Sequence, residues 1–158
     1  MRWHKALWWL ALSGLVIALD QVTKQMIASA FKVGEGLRMT SFFDLVFVFN
    51  RGAAFSFLSD AGGWQRWFFI VLALSISAWL IFMLARHAEE RLLSAALALV
   101  LGGALGNVID RVLHGAVVDF LSFHLAGYYW PAFNLADSAI TLGVALMLWQ
   151  QFSQGKPE

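Results

Sequence analysis

The sequence predicts an all-α polytopic membrane protein with four transmembrane helices, and three observations predict it. Of its 158 residues, 60% are hydrophobic and only 13% charged, where a soluble domain carries about 45–50% apolar and about 25% charged residues. The apolar residues come in runs long enough for a bilayer core, which takes about 20 residues of helix. The ionisable groups that interrupt those runs gather near their ends. Eleven basic against ten acidic residues leave no electrostatic footprint for nucleic acid. The absence of cysteine excludes a thiolate nucleophile, a Cys-ligated metal cluster and a disulfide.

The first span is placed at 6–28. Ala6 to Leu19 is uncharged, but full length requires running on through Asp20 and Lys24. Arg2, His4 and Lys5 in front, with Ala28-Ser29-Ala30 behind, imitate a secretory signal peptide. Asp20, Gln21 and Lys24 make the region before that site too long and too charged, so the segment is expected to stay as a span. A β-rich segment over 37–60 follows, with Phe47, Val48 and Phe49 before Asn50-Arg51-Gly52 and Phe55 and Phe57 after it, which reads as strands around a turn.

The second and third spans, at 67–85 and 92–111, hold the charge-free stretches Trp67 to Ala85 and Leu92 to Ile109. A loop over 113–132, with Gly115, Asp119, Gly127 and Tyr128-Tyr129, is expected to lie at the interface. The fourth span, at 133–152, opens on Asn134-x-x-Asp137. Residues 1–158 form a single integral-membrane domain in this reading. Arg2, Lys5, Arg86, Arg91 and Lys156 lie in short segments that an even number of spans puts on one side, the cytoplasmic one. Trp8, Trp9 and Trp149 then anchor the inner face, and Trp64, Trp67 and Trp130 the outer one.

Ionisable side chains inside spans are costly, about 2.5–3.5 kcal/mol at the centre on insertion scales, so each needs a reason. Asp20 and Lys24 are four apart and can pair on one helical face. Asn107, Asp110 and Arg111 share neighbouring faces at the outer end of the third span. Gly102, Gly103 and Gly106 provide the small-residue spacing that draws this trio against another helix. Asn134 suits a helix N-cap, and Asp137 a first turn whose dipole favours a carboxylate. Asp119 sits between apolar neighbours, where desolvation raises its pKa. Two aspartates in such different surroundings are the ingredients of a dyad that shares a proton and activates water.

Five blocks carry a resemblance: Asp20-Gln21-Val22-Thr23-Lys24, Asn50 to Phe55, Gly102 to Arg111, Gly115 to Phe120, and Phe133 to Ala139. In their order and span arrangement the chain resembles the bacterial lipoprotein signal peptidases (signal peptidase II), small aspartyl proteases of four spans. The resemblance implies that Asp119 and Asp137 are catalytic and that Asn50 and Arg111 bind substrate. It implies that Asp20, Lys24, Asn107, Asp110 and Asn134 support the site. It further implies an extracytoplasmic β-cradle, a short interfacial helix between the third and fourth spans, and inhibition by globomycin-type cyclic peptides. The implied substrate is a diacylglyceryl-modified prolipoprotein, cut just before its lipobox cysteine at the periplasmic face of the inner membrane. No metal or other cofactor and no nucleic-acid partner is expected, and membrane lipids surround a monomer.

Three other readings compete with this one. A transporter or proton relay would use the same Asp, Lys and Arg residues, but it expects charges at mid-membrane and broken spans. His114 and His124 flank Asp119 without a His-Glu-x-x-His pattern, which argues against zinc. Ser138 lacks the Gly-x-Ser-x-Gly context of a serine nucleophile.

Overall fold

Backbone amides in lipid find no water, so a long apolar run satisfies its hydrogen bonds within a helix. The computed structural model describes residues 3–52 and 62–154. Its four helices are α1 (Trp3–Ala30), α2 (Trp64–His87), α3 (Arg91–His114) and α4 (Leu135–Gln154), and its strands are β1 (Gly36–Arg38), β2 (Phe43–Asn50), β3 (Val117–Leu125) and β4 (Tyr128–Tyr129). Among the described residues, three helical stretches are long and apolar enough to cross a membrane: His4–Ala30, Trp64–His87 and Arg91–His114. α4 is 20 residues long. Asp137 in its first turn and Gln150 and Gln151 near its end dilute its apolar character.

α3 is the central helix, packed against α4, α1 and α2. Glycine makes this possible. A Cβ on Gly102 would meet Val16 and the Ser13 carbonyl of α1, and one on Gly103 would collide with the Ala136 carbonyl of α4. Ser13 adds an interhelical hydrogen bond, its hydroxyl donating to the Ala98 carbonyl over 2.9 Å. At the end remote from the strands, Leu80, Leu84, Leu97, Val100 and Leu101 form a buried cluster. Leu15, Val22, Trp67, Val71 and Trp79 point outward and are exposed. Apolar side chains on the outside of a helical bundle are what a lipid solvent calls for.

The fold is not strictly all-α. The strands form one antiparallel sheet in the order β1-β2-β3-β4. Of the strands expected on either side of Asn50-Arg51-Gly52, the one before the turn exists as β2, which pairs with β1 in front of it, and the one after, at Phe55 and Phe57, falls outside the described residues. The short interfacial helix expected between α3 and α4 is absent: β3 and β4 occupy that stretch. The physical reason is composition and a waiting partner. Val117, Val118, Phe120, Leu121 and Phe123 favour extended backbone, and β2 offers them an edge with Phe43 opposite Phe123 and Asn50 opposite Val117. Ile27 of α1, Phe47, Val118 and Phe120 form a second buried cluster that fastens the sheet to the bundle.

Candidate active site

Three local features converge at the sheet end of α3. The helix ends on Gly115, whose left-handed backbone (φ 73°) lets its N–H bond the Arg111 carbonyl and turns the chain sharply into β3. That turn buries Asp119 at 2% exposure. The segment entering α4 then pairs with β3, the Phe133 N–H donating to the Leu121 carbonyl over 3.0 Å and the Leu121 N–H returning a bond of 2.9 Å. Asn134 is thereby laid against Asp119 and is fully buried.

Asn134 also starts α4. Its Oδ1 accepts the Asp137 N–H (2.9 Å), and Asp137 Oδ2 accepts the Asn134 N–H (3.3 Å), a reciprocal cap of the helix N-terminus. With its oxygen so used, Asn134 Nδ2 donates to Asp119 Oδ1 over 2.7 Å. Asp119 Oδ2 accepts from Asn50 Nδ2 over 3.1 Å. A bulge between Leu45 and Val48 sets β2 so that Val48 faces Asp119, leaving Asn50 diagonal to it on the same side of the sheet. Asp137 Oδ1 accepts from Asn107 Nδ2 over 2.8 Å. Burial pushes the Asp119 carboxyl up to about 7, and the Asp137 charge nearby pushes the same way, against the bonds from Asn50 and Asn134.

Behind this pair lies a buried ionic cluster. Lys24 Nζ is 2.7 Å from Asp20 Oδ2 and 2.9 Å from Asp110 Oδ2, and all three side chains are nearly inaccessible. Lys24 Nζ also donates to Asn107 Oδ1 over 3.0 Å. Asp20 Oδ1 accepts the Ala136 N–H, one of the unpaired amides at the start of α4, over 2.9 Å. Asp110 Oδ2 accepts the Val118 N–H over 2.9 Å. The cluster therefore ties the backbone on both sides of the aspartate pair. Isolated charges in such a place would be prohibitive, and it is their mutual pairing that makes them tolerable.

Arg111 lies over the Phe69 ring at 5.0 Å, and its Nη2 donates to the Gly52 carbonyl over 2.9 Å. The structure thus brings Asp20, Lys24, Asn50, Asn107, Asp110, Arg111, Asp119, Asn134 and Asp137 to one end of the bundle. His124 and His114 go elsewhere: His124 lies 3.3 Å from Asp44 with its ring near Tyr129, and His114 lies near Phe49. One participant was missed by sequence reasoning. Gln21 Nε2 donates to Asp110 Oδ1 over 2.9 Å and to the Gly106 carbonyl over 3.2 Å, and its signal was a polar amide beside Asp20 in an apolar run.

Comparison with known proteins places this geometry in context. A family model described as Peptidase_A8, signal peptidase (SPase) II, matches residues 12–153. A lipoprotein signal peptidase of Azoarcus sp. strain BH72 is 63% identical over 148 residues, covering 94% of this chain and 84% of the relative. One of Cupriavidus necator is 54% identical over 140 residues, covering 89% and 80%. Two structures of bacterial membrane enzymes solved by the in meso method superpose with TM-scores of 0.82 and 0.79, both at 35% identity. The first alignment covers 95% of this chain and 92% of the solved one, the second 90% and 91%.

Proposed function

The chain belongs to the signal peptidase II family, membrane aspartic peptidases that cleave the signal peptides of prolipoproteins, and we propose that Asp119 and Asp137 are its catalytic dyad. The observation that carries the assignment is Asn134, whose one side chain bonds Asp119 while capping the turn that holds Asp137. Asp119 holds the proton, since burial and the neighbouring charge keep its carboxyl near neutrality at about 7. Asp137, in the first turn of α4 where the helix dipole favours negative charge, serves as the base.

In this mechanism Asp137 takes a proton from water as the water oxygen bonds to the scissile carbonyl carbon, and Asp119 gives its proton to the carbonyl oxygen. The tetrahedral intermediate then collapses. The C–N bond breaks, the amine leaves with the proton from Asp137, and the carbonyl re-forms as Asp119 recovers its own. Asn50 and Arg111 bind substrate at the rim, Arg111 steadying backbone carbonyls or the lipid headgroup with its planar fork. Asp20, Lys24, Asn107, Asp110 and Asn134 hold the dyad in place.

The substrate class is a diacylglyceryl-modified prolipoprotein cut just before its lipobox cysteine. Acyl chains hold that cysteine at the interface, the depth at which the dyad lies if the helix ends mark the membrane boundary. α4 supplies the fourth span: at 1.5 Å per residue its length matches a core of about 30 Å. Residues 1–158 then form one integral-membrane domain of the bacterial inner membrane, with both termini cytoplasmic and the site facing the periplasm. The enzyme works as a monomer without a cofactor, and globomycin-type cyclic peptides compete with substrate at the aspartate pair.

The deciding experiment is cleavage of purified diacylglyceryl-modified prolipoprotein by wild type, Asp119→Asn and Asp137→Asn, with chelator and globomycin controls. Both variants are expected to be inactive and chelator without effect. Activity in either variant removes the dyad, and loss with chelator points to a metal.

A further inference from the structure

Lys24 is a buried cation at the catalytic end, paired with Asp20 and Asp110 and bonded to Asn107. What it touches has a direction. A side-chain amide has one accepting and one donating end, and an ammonium can only donate. Lys24 Nζ therefore requires the oxygen of Asn107 to face it, at 3.0 Å. Asn134 Nδ2 reaches the same oxygen over 3.2 Å, a second donor with the same demand. With Oδ1 turned inward, Nδ2 is the end left to face Asp137, and it does so at 2.8 Å.

Lys24 is itself held on two sides, by Asp20 of its own helix and Asp110 of α3. Gln21 bonds both of these carboxylates, donating over 3.3 Å to Asp20 and 2.9 Å to Asp110. The ammonium is consequently fixed against α3 at Asn107, and Asn107 reports that position to α4. Around Asp137 the polar and charged groups are Asn107 and Arg111 of α3, Asn134 at its own helix start, and Asp119 of β3. If Asn107 flipped, an oxygen would face the Asp137 carboxylate, and the base of the dyad would lose a donor and gain a repulsion.

Resting on the dyad assignment, we propose that Lys24 is a positioning residue for catalysis: it locks the Asn107 carboxamide in the one orientation that presents a donor to Asp137. This gives the buried Asp20–Lys24–Asp110 cluster a function in the chemical step beyond holding helices together. It predicts that Lys24 acts through Asn107 and on turnover more than on substrate capture.

The test is a double-mutant cycle on the full-length enzyme in lipid, reading kcat and KM for a diacylglyceryl-modified prolipoprotein peptide. Lys24→Met is paired with Asp110→Asn, which keeps the net charge of the cluster, and Asn107→Ala is made alone and on top of that pair. Losing one oriented hydrogen bond to a charged group predicts a fall in kcat on the order of tenfold or more, with KM within about twofold. Lys24→Arg, which still donates to Asn107 Oδ1, should recover most of the turnover. Adding Asn107→Ala to the Lys24→Met/Asp110→Asn pair should cause no further loss. Multiplying losses, or a change carried by KM, would overturn the proposal, because either means that Lys24 acts independently of Asn107. Should the paired variant fail to fold, Lys24→Met with Asp20→Asn, which also keeps the net charge of the cluster, takes its place in the cycle with the same two criteria. Asp119→Asn and Asp137→Asn run alongside: activity in either sinks the dyad assignment, whereas inactive controls with multiplying losses sink only the role of Lys24.

Discussion

Replacing Asp119 by Asn should abolish cleavage and, at the same time, stabilise the protein in a pH-dependent way. In the unfolded chain this carboxyl has an ordinary value of 3.8, and in the fold burial and Asp137 push it up to about 7. A raised carboxyl binds its proton more tightly in the folded state. The contribution of Asp119 is thus fully favourable below the unfolded value, falls as pH rises through the window between the two, and levels off above the folded value. Each pH unit inside that window is worth 1.36 kcal/mol, so the whole span amounts to about 4 kcal/mol. Between pH 5 and pH 7.5 the wild type should lose about 2.5 kcal/mol that an uncharged Asn does not.

The variant has a local cost of its own. Its Oδ1 still accepts from Asn134, but its amide nitrogen faces Asn50 Nδ2, a donor against a donor, worth about 1 kcal/mol. Asn does not titrate, so that cost is the same at every pH and cancels from the comparison of slopes. Thermal unfolding in detergent micelles reads the effect. A cysteine-free chain rules out thiol-reactive dyes, but eight tryptophans provide intrinsic fluorescence. The midpoint of Asp119→Asn relative to wild type should climb by about 5–10 °C from pH 5 to pH 7.5. Parallel curves across that range would refute the argument, because they would mean that the buried carboxyl ionises in the fold as easily as in the unfolded chain.

Two further predictions concern the surroundings of the proposed dyad. Gly103→Ala would drive a methyl into the Ala136 carbonyl and to 2.7 Å from Ile140, pushing the first turn of α4, while Gly143→Ala meets the Ala96 carbonyl at 2.6 Å farther along the same helix pair. Both should destabilise by about 1–3 kcal/mol in an unfolding titration, but only Gly103→Ala should also cut kcat; equal activity losses would detach that turn from catalysis. Arg111→Lys keeps the charge but loses the stack on Phe69 and the fork that reaches Gly52. A steady-state assay should show kcat/KM reduced by about tenfold, carried by KM, and unchanged kinetics would remove Arg111 from substrate binding.

What could be read in the sequence divides along the range of the interaction. Helices α1, α2 and α3 were legible because a bilayer demands long apolar runs, and the Asp20–Lys24 pair because residues four apart share a helix face. β3 was not: residues 113–132 read as an interfacial loop, and the resemblance implied a short helix between the third and fourth spans. The β-forming residues of β3 become a strand only with β2 alongside, and that pairing joins residues such as Phe43 and Phe123, far apart in the chain. The closeness of Asn50 to Asp119 needs, in addition, the bulge in β2.

The ionic cluster shows where the boundary falls. Sequence spacing gives Lys24 one carboxylate, at Asp20, and a neutral pair at the edge of a span would need no further explanation. The second carboxylate and the amide of Asn107 come from α3, and they reach Lys24 because Gly102 and Gly106 let the two helices touch; a Cβ on Gly106 would lie 2.7 Å from Asp20 Oδ2. Glycine spacing predicts that α3 is closely approached but does not name the helix. It is the choice of neighbour, α1 on one side and α4 on the other, that turns a local ion pair into a connection reaching Asp137. Charge in a membrane span therefore marks a site early, while the direction in which each polar group points follows only once packing has supplied its partners.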